Sequence, residues 1–463
     1  MWHIFQQEPG FYGRLLRLSI PLIIQNIITN SMGLLDTFMV GLMGEGPLAG
    51  VTLANIPVFV VNLMMFGIQS GSAVLISQYR GKGDTDTIHR MMGMGMYAAG
   101  VLTFLFALVM GFCPQQFMSL FGRDPAVIAV AAQYARIVGW SYVFDSVVQV
   151  YIGTHRAMGS PQRGMYILAI SMVCNTILNW GFIFGKLGLP ALGVEGAAWA
   201  TLLARVLAFI IVLVWAVRDR RFPLRPALLL CPGRAAAAKF LRFASPVLCN
   251  ETLWGLGTSL FPTIMGHMDG SQEILAAYAI AGNITNLCSV GIFALGNTAS
   301  ILIGQEIGSG RMERVYRLGG LLDVLSFLFG LGLGLVCMGL LHGVVIPLLY
   351  SVFHLSETAG NICTMMLTVV FASMSLRSFN TTSIVGVLRG GGDVAVSTAI
   401  DLIPLWVVAL PLAALSGLVW ELGIVWVYLS MLAENLLKCG LGIARYRSGK
   451  WIRDVTLPPE KQV

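Results

Sequence analysis

Charge is scarce in this chain. Asp, Glu, Lys and Arg make up 11% of its 463 residues, where ordinary soluble domains carry about 25%. Hydrophobic residues make up 56% and the mean hydropathy is +0.79. A protein this apolar has no polar coat to face water, so a soluble fold is excluded and lipid must be the main solvent. Paired cysteines are also missing. Cys113, Cys174, Cys231, Cys249, Cys288, Cys337, Cys363 and Cys439 are scattered, and none forms a C-x-x-C pair. They read as small core residues, with neither a disulfide framework nor a metal site implied. A phosphate-binding G-x-x-x-x-G-K-[ST] loop is absent, since Gly185-Lys186 is followed by Leu187. H-E-x-x-H and G-x-S-x-G are absent too. No enzyme class and no cofactor is therefore indicated, and any work done must draw on an ion gradient or a partner. No cleavable signal peptide is visible, because the first apolar run is too long for an h-region.

Long apolar runs are what the chain does have. A helix needs about 20 residues to cross a hydrocarbon core about 30 Å thick. Such runs fall at 15–41, 51–77, 91–113, 126–157, 163–184 and 195–217, then at 240–268, 274–303, 319–349, 360–388, 397–417 and 421–444. The expectation is an all-α polytopic membrane protein of twelve transmembrane helices. The 53 glycines suit helices whose backbones approach closely. The 29 Lys and Arg are distributed unevenly over this map. With the N-terminus inside, the outer loops hold only Arg123 and Lys186, and Arg136, Arg205 and Arg377 sit within spans. The rest lie in or next to cytoplasmic segments, among them Arg80, Lys82, Arg218, Arg220, Arg221, Arg225, Arg311, Arg314, Arg445 and Arg447. This bias places both termini in the cytoplasm of a multi-pass cell-membrane protein. It also assigns the net charge of +7 to topology rather than to a nucleic-acid partner.

The two halves of the chain repeat. Leu16-Arg17-Leu18-Ser19-Ile20-Pro21 resembles Leu241-Arg242-Phe243-Ala244-Ser245-Pro246. Gln78, Gly81 and Gly83 match Gln305, Gly308 and Gly310, and Arg156-Ala157-Met158-Gly159 matches Arg389-Gly390-Gly391-Gly392. Each half has six spans, so both enter the membrane from the same side and the repeat is parallel. The expected organisation is a lobe at 1–217, a basic cytoplasmic linker at 218–239 and a lobe at 240–463. Two such repeats around a central cleft are an architecture for alternating access.

Several segments, in order, resemble the multidrug and toxic compound extrusion (MATE) transporters. Ile20-Pro21-Leu22 with Gly33 to Gly41 looks like their first helix. Ile76 to Asp84 looks like the loop after helix 2. Asn175-Thr176-Ile177-Leu178-Asn179 and Gly193 to Thr201 look like helices 5 and 6, and Leu388 to Asp393 recurs after helix 10. The resemblance implies efflux of amphiphilic, often cationic compounds in exchange for protons or Na⁺. It departs from the family at two positions. Many members carry Asp where this chain has Asn179, and members with a second-lobe Na⁺ site carry an acid where it has Ser378.

Polar residues inside spans are the candidates for coupling, since an ionised Asp at mid-helix costs about 2.5–3.5 kcal/mol on insertion scales. Gln25, Thr29 and Asp36 fall within about 40° of arc at about 100° per residue, a polar stripe ending in a carboxylate. Asn175 and Asn179 are four apart and share a helix face, from which either could serve Asp36 or join helices. Glu251 follows Pro246, which frees a backbone carbonyl, and its repeat-mate is Asn26. Asp401, near Pro404 and Pro411, is either a second-lobe site or a partner for Arg377. Asp145 is expected to pair with Arg136 or Arg377, and Glu434 with Lys438. Asp36, Asn175, Asn179, Glu251 and Asp401 are thus the candidate cation-coupling residues, with Na⁺ an option at Asp36 or Glu251. Gln25, Thr29, Asn26, Thr201, Asn283 and Arg377 are candidates for lining or supporting the substrate cleft. The 23 methionines suit a cleft that accepts varied ligands. The resulting expectation is a monomeric antiporter that exports small amphiphilic, cationic molecules, with protons favoured over Na⁺ as the coupling ion because burial within a helix lobe disfavours an ionised Asp36. The alternative is a flippase for a lipid-linked or amphiphilic precursor.

Overall fold

The computed structural model describes residues 10–351 and 355–457, and every element of more than isolated pairing among them is helical. Twelve long helical segments follow the expected spans. They are α1 Phe11–Gly41, α2 Glu45–Lys82, α3 Thr85–Phe112, α4 Pro125–Ala157, α5 Gln162–Phe184, α6 Gly193–Arg218, α7 Arg234–Met265, α8 Ser271–Gly308, α9 Met312–Val345, α10 Glu357–Ala372 continued by Met374–Leu388, α11 Val394–Val419 and α12 Ile424–Arg447. Among the described residues ten of these are single helices long and apolar enough to cross a membrane, and α10 does so as a pair bent by 52°. The twelfth, α7, carries Arg234, Lys239, Arg242 and Glu251 and is less apolar. At 32 residues it is nevertheless about 48 Å long, ample for a bilayer.

The helices group into two compact units. One is Ile20–Leu248, and the other combines Met1–Ser19 with Cys249–Val463. In the first, α4 packs along α2, α3 and α6, and α5 packs along α6. Small residues permit this. A Cβ on Gly196 of α6 would lie 2.5 Å from the Phe182 carbonyl oxygen of α5, so only glycine allows that approach. The basic stretch between α6 and α7 does not run free. Its short helix Pro226–Leu230 lies along α3, where Tyr97 Oη donates to the Leu230 carbonyl (2.6 Å) and Arg90 to the Pro232 carbonyl (2.8 Å).

In the second unit α8 packs on α9 and on both halves of α10, while α12 packs on α10 and α11. Its core includes Phe261, Met265, Leu367, Phe371 and Leu405, all at most 2% exposed. This unit is less regular than the first. Leu341–Val345, Thr381–Leu388, Pro404–Ala409 and Leu415–Val419 are π-helical. Pro404 and Pro411 lack amide hydrogens, so the ladder of α11 must be re-satisfied with a wider turn.

The repeat visible in the sequence recurs in backbone geometry. Gly83 and Gly310 both have φ +80°, and Gly159 and Gly392 have φ +85° and +92°. Gly159 donates its amide to the Arg156 carbonyl and Gly392 to the Arg389 carbonyl, at 2.9 and 3.0 Å. Matching residues therefore close matching turns.

Candidate functional site

Each unit contains a buried polar network, and the two differ in charge. In the first unit, α1 supplies Asp36, α5 supplies Asn175 and Asn179, and α6 supplies Thr201. Asn179 Nδ2 donates to Asp36 Oδ1 at 2.6 Å and is also 3.2 Å from Asn175 Oδ1. Asn175 Nδ2 reaches Thr201 Oγ1 at 3.4 Å. Both asparagines are 1% exposed, Thr201 is buried and Asp36 is half-buried. Asn179 Oδ1 accepts no hydrogen bond. Tyr134 of α4 completes the set through a hydrogen bond to Thr201. No Lys, Arg or His forms an ion pair with Asp36 among the described residues.

One turn along α6 from Thr201, Arg205 pairs with Asp145 of α4 and lies over the Tyr142 ring, 4.8 Å from its centre. Asp145, expected from the sequence to pair with Arg136 or Arg377, pairs instead with Arg205. The nearest guanidinium to the Asp36 network is thus already neutralised.

The other residues of the predicted α1 stripe have separate partners. Gln25 is buried and donates to the Pro161 carbonyl. Thr29 turns its hydroxyl back to the Gln25 carbonyl (2.9 Å) and is exposed. Helical periodicity placed the three on one side of α1, but only Asp36 joins the asparagines. Asn26 is half-buried on the same helix.

The second unit holds a chain of charged groups interrupted by one asparagine. Arg389 Nη1 contacts Glu251 Oε1 at 3.0 Å. Asn250 Nδ2 bridges Glu251 Oε1 (3.4 Å) and Asp401 Oδ2 (3.0 Å). Lys438 Nζ then binds Asp401 Oδ1 and Glu434 Oε1, each at 2.7 Å. Asn250, Glu251, Arg389, Glu434 and Lys438 are all buried. The pairing of Glu434 with Lys438 is as the sequence predicts. Asp401 does not pair with Arg377, and Lys438 takes that place. Arg377 is half-buried and lies within electrostatic reach of Glu434, Tyr278 and Tyr428. Asn283 is exposed on α8. Sequence reasoning missed Asn250, Arg389 and Arg205 as members of these networks. The available signal was the excess of buried acids over identified partners.

The MatE family model matches residues 21–181 and 247–415. The chain is 23% identical to the Thermotoga maritima protein named "Probable multidrug resistance protein NorM", over 98% of this chain and 96% of that one. Among solved structures, a Pyrococcus furiosus transporter of the MOP superfamily superimposes with a TM-score of 0.83 at 20% identity, covering 94% of this chain and 95% of its own. A variant of the Vibrio cholerae MATE transporter VcmN gives 0.83 at 21% identity, with 94% and 96% covered.

Proposed function

Because the chain belongs to the MATE family of multi-pass membrane transporters, we propose that it exports small amphiphilic, cationic compounds in exchange for protons, with Asp36 as the coupling carboxyl. The observation that carries this reading is the contrast between the two networks. Glu251 and Asp401 are each held by a fixed cation, Arg389 and Lys438. A coupling ion arriving there must displace an ammonium or guanidinium. Asp36 has only a neutral partner, Asn179. That environment leaves its charge to be balanced by an exchangeable ion.

Asn175, Asn179 and Thr201 are the supporting residues in this reading. Their oxygens would also suit Na⁺, a hard cation that prefers oxygen ligands. The proton is favoured because Asn179 already spans the distance to Asp36 in a single 2.6 Å hydrogen bond, which a metal ion would have to break. The names of relatives such as the Thermotoga maritima NorM support drug-like substrates. The distribution of Lys and Arg supports a cell-membrane location with both termini cytoplasmic. The protein would act as a monomer, with two six-helix repeats, 1–217 and 240–463, joined by 218–239. Gln25, Asn26, Thr29, Asn283 and Arg377 remain candidates for contact with substrate.

The experiment is transport of a cationic dye in inverted membrane vesicles, where efflux from the cytoplasmic side is read as uptake into the lumen, energised separately by ΔpH and by a Na⁺ gradient. ΔpH alone is expected to drive efflux. Efflux driven by Na⁺ alone would reverse the choice of ion. Translocation of a lipid-linked sugar without dye efflux would replace antiport by lipid flipping.

A further inference from the structure

A third buried carboxyl belongs to neither network. Asp323 lies on α9, is 5% exposed, and faces the π-helical half of α10. Its carboxyl makes one hydrogen bond, from Ser383 Oγ to Oδ2 at 3.4 Å, and Oδ1 makes none. Ser326, one turn along, turns its hydroxyl to the Asp323 backbone carbonyl instead. On the third side stands α12. A Cβ on Gly442 would lie 3.5 Å from Ser383 Oγ, and Cys439 and Tyr446 act on Asp323 electrostatically. These are a thiol and a phenol, both uncharged in their ordinary forms near neutral pH.

The nearby cations of α12 are already committed, Lys438 to Asp401 and Glu434, and Arg445 to Asp393. The contrast with the other buried acids of the unit is sharp. Glu251, Glu434, Asp393 and Asp401 each have a cation in contact, and Asp323 forms no ion pair among the described residues. An ionised carboxylate so placed loses its hydration and recovers one long hydroxyl contact, which cannot offset the loss. Neutralisation by a bound proton removes the cost. The same serine can donate to the carboxylate or accept from the carboxylic acid, so it serves both forms. The stretch opposite is polar and under-satisfied. Ser378 Oγ, Asn380 Oδ1 and Thr382 Oγ1 are buried without hydrogen-bond partners. It is also π-helical over Thr381–Leu388, a geometry that recurs at functional sites.

We propose that Asp323 is a second proton-binding carboxyl, separate from Asp36, where α9 meets the π-helical half of α10 and α12. The site takes up and releases a proton whichever carboxyl couples transport. The test is infrared difference spectroscopy of the full-length protein in lipid bilayers, titrated from acid to alkaline pH. Wild type is expected to show a protonated-carboxyl band that fades with rising pH. Asp323→Asn should lack this band, and Asp36→Asn should keep it. Ser383→Ala retains the carboxyl and should shift the band's frequency, which keeps the proposal testable if Asp323→Asn fails to fold. A spectrum unchanged by Asp323→Asn would overturn the proposal. So would a band insensitive to pH, a band unmoved by Ser383→Ala, or loss of the band on adding Na⁺ at fixed pH.

Discussion

An asparagine beside a carboxyl can donate through Nδ2 to the ionised form and, after an amide flip, accept through Oδ1 from the protonated form. Asn179 has this relation to Asp36, with Nδ2 engaged at 2.6 Å and Oδ1 unpartnered. A second aspartate at that position would repel the ionised form. Asp36→Asn should therefore preserve the fold and substrate binding while losing ΔpH-driven dye efflux by about tenfold or more, equivalent to about 1.4 kcal/mol. Substrate addition should release protons from wild type and fewer from the variant. Full ΔpH-driven efflux by Asp36→Asn would remove Asp36 from the mechanism. Glu251 calls for a different readout, because its loss leaves Arg389 buried without that carboxylate. Breaking one side of a buried pair costs about 3–5 kcal/mol, so Glu251→Gln should lower the thermal midpoint of the purified protein clearly. Adding Arg389→Gln should restore much of it, and an unchanged midpoint in the single variant would show that the pair contributes little. Asp36, Asn175 and Asn179 were legible in the sequence because helical spacing and a family resemblance pointed to the same three positions. Arg205 with Asp145 and Lys438 with Asp401 were not, since no local pattern relates residues on different helices. Asp323 left no motif at all, and only the count of cations around it sets it apart.

At the level of elements, the turn after α10 carries two functions at once. Arg389 opens it and holds Glu251, while Asp393 closes it, fully buried, against Arg445 (2.6 Å) and Arg453 (3.0 Å). The chain beyond α12 packs into this turn. Trp451 is 0% exposed, donates Nε1 to the Tyr446 carbonyl at 3.0 Å and presses on Gly391, and Arg453 donates its amide to the Gly391 carbonyl at 2.8 Å. A Cβ on Gly392 would lie 2.8 Å from the Arg453 carbonyl oxygen, so glycine is needed there for space as well as for its φ of +92°. Trp451→Ala removes the anchor, at a cost of about 3–5 kcal/mol if the site does not collapse. The expected outcome is faster trypsin cleavage at Lys450 and Arg453 in inverted membranes. Cleavage at the wild-type rate would show that the tail is held without Trp451. The helices themselves were readable from hydropathy, because lipid demands unbroken apolar runs. Their π-helical stretches were foreshadowed only near prolines, Pro404 and Pro411 above all. Leu341–Val345 runs into Pro347, whose missing amide leaves the Gly343 carbonyl without its usual donor, while Thr381–Leu388 contains no proline and carried no such signal. The less apolar α7 was found in the sequence as an apolar run at 240–268, whose start matches that of α1 in the repeat.

At the scale of the whole molecule, topology and energetics constrain each other. Reporter fusions after Lys186 and after Asp269 should read outside the cell and a fusion after Arg221 inside, as the Lys and Arg asymmetry requires. An external signal after Arg221 would overturn the topology and the parallel repeat together. With that orientation, inward proton movement follows both parts of the driving force. A tenfold proton gradient supplies about 1.4 kcal/mol, and a potential of about 100 mV adds about 2.3 kcal/mol per charge. For a neutral substrate exchanged one for one, the sum sustains an accumulation ratio of a few hundredfold. A monovalent cation leaving as one proton enters moves no net charge, so the potential drops out and ΔpH alone sustains about tenfold. The two cases separate in vesicles that carry both an imposed potential and a pH gradient, each collapsed in turn. If cationic dyes exchange one for one with protons, collapsing the potential with valinomycin and K⁺ should leave their steady-state ratio unchanged, and dissipating ΔpH with nigericin should abolish it. Sensitivity of the dye ratio to valinomycin would require more than one proton per cation. Asp36 and Asp323 together could then supply two proton-binding carboxyls, and the ratio measured again in Asp323→Asn should fall to the electroneutral value. A potential-sensitive ratio that survives in Asp323→Asn would assign the second proton elsewhere.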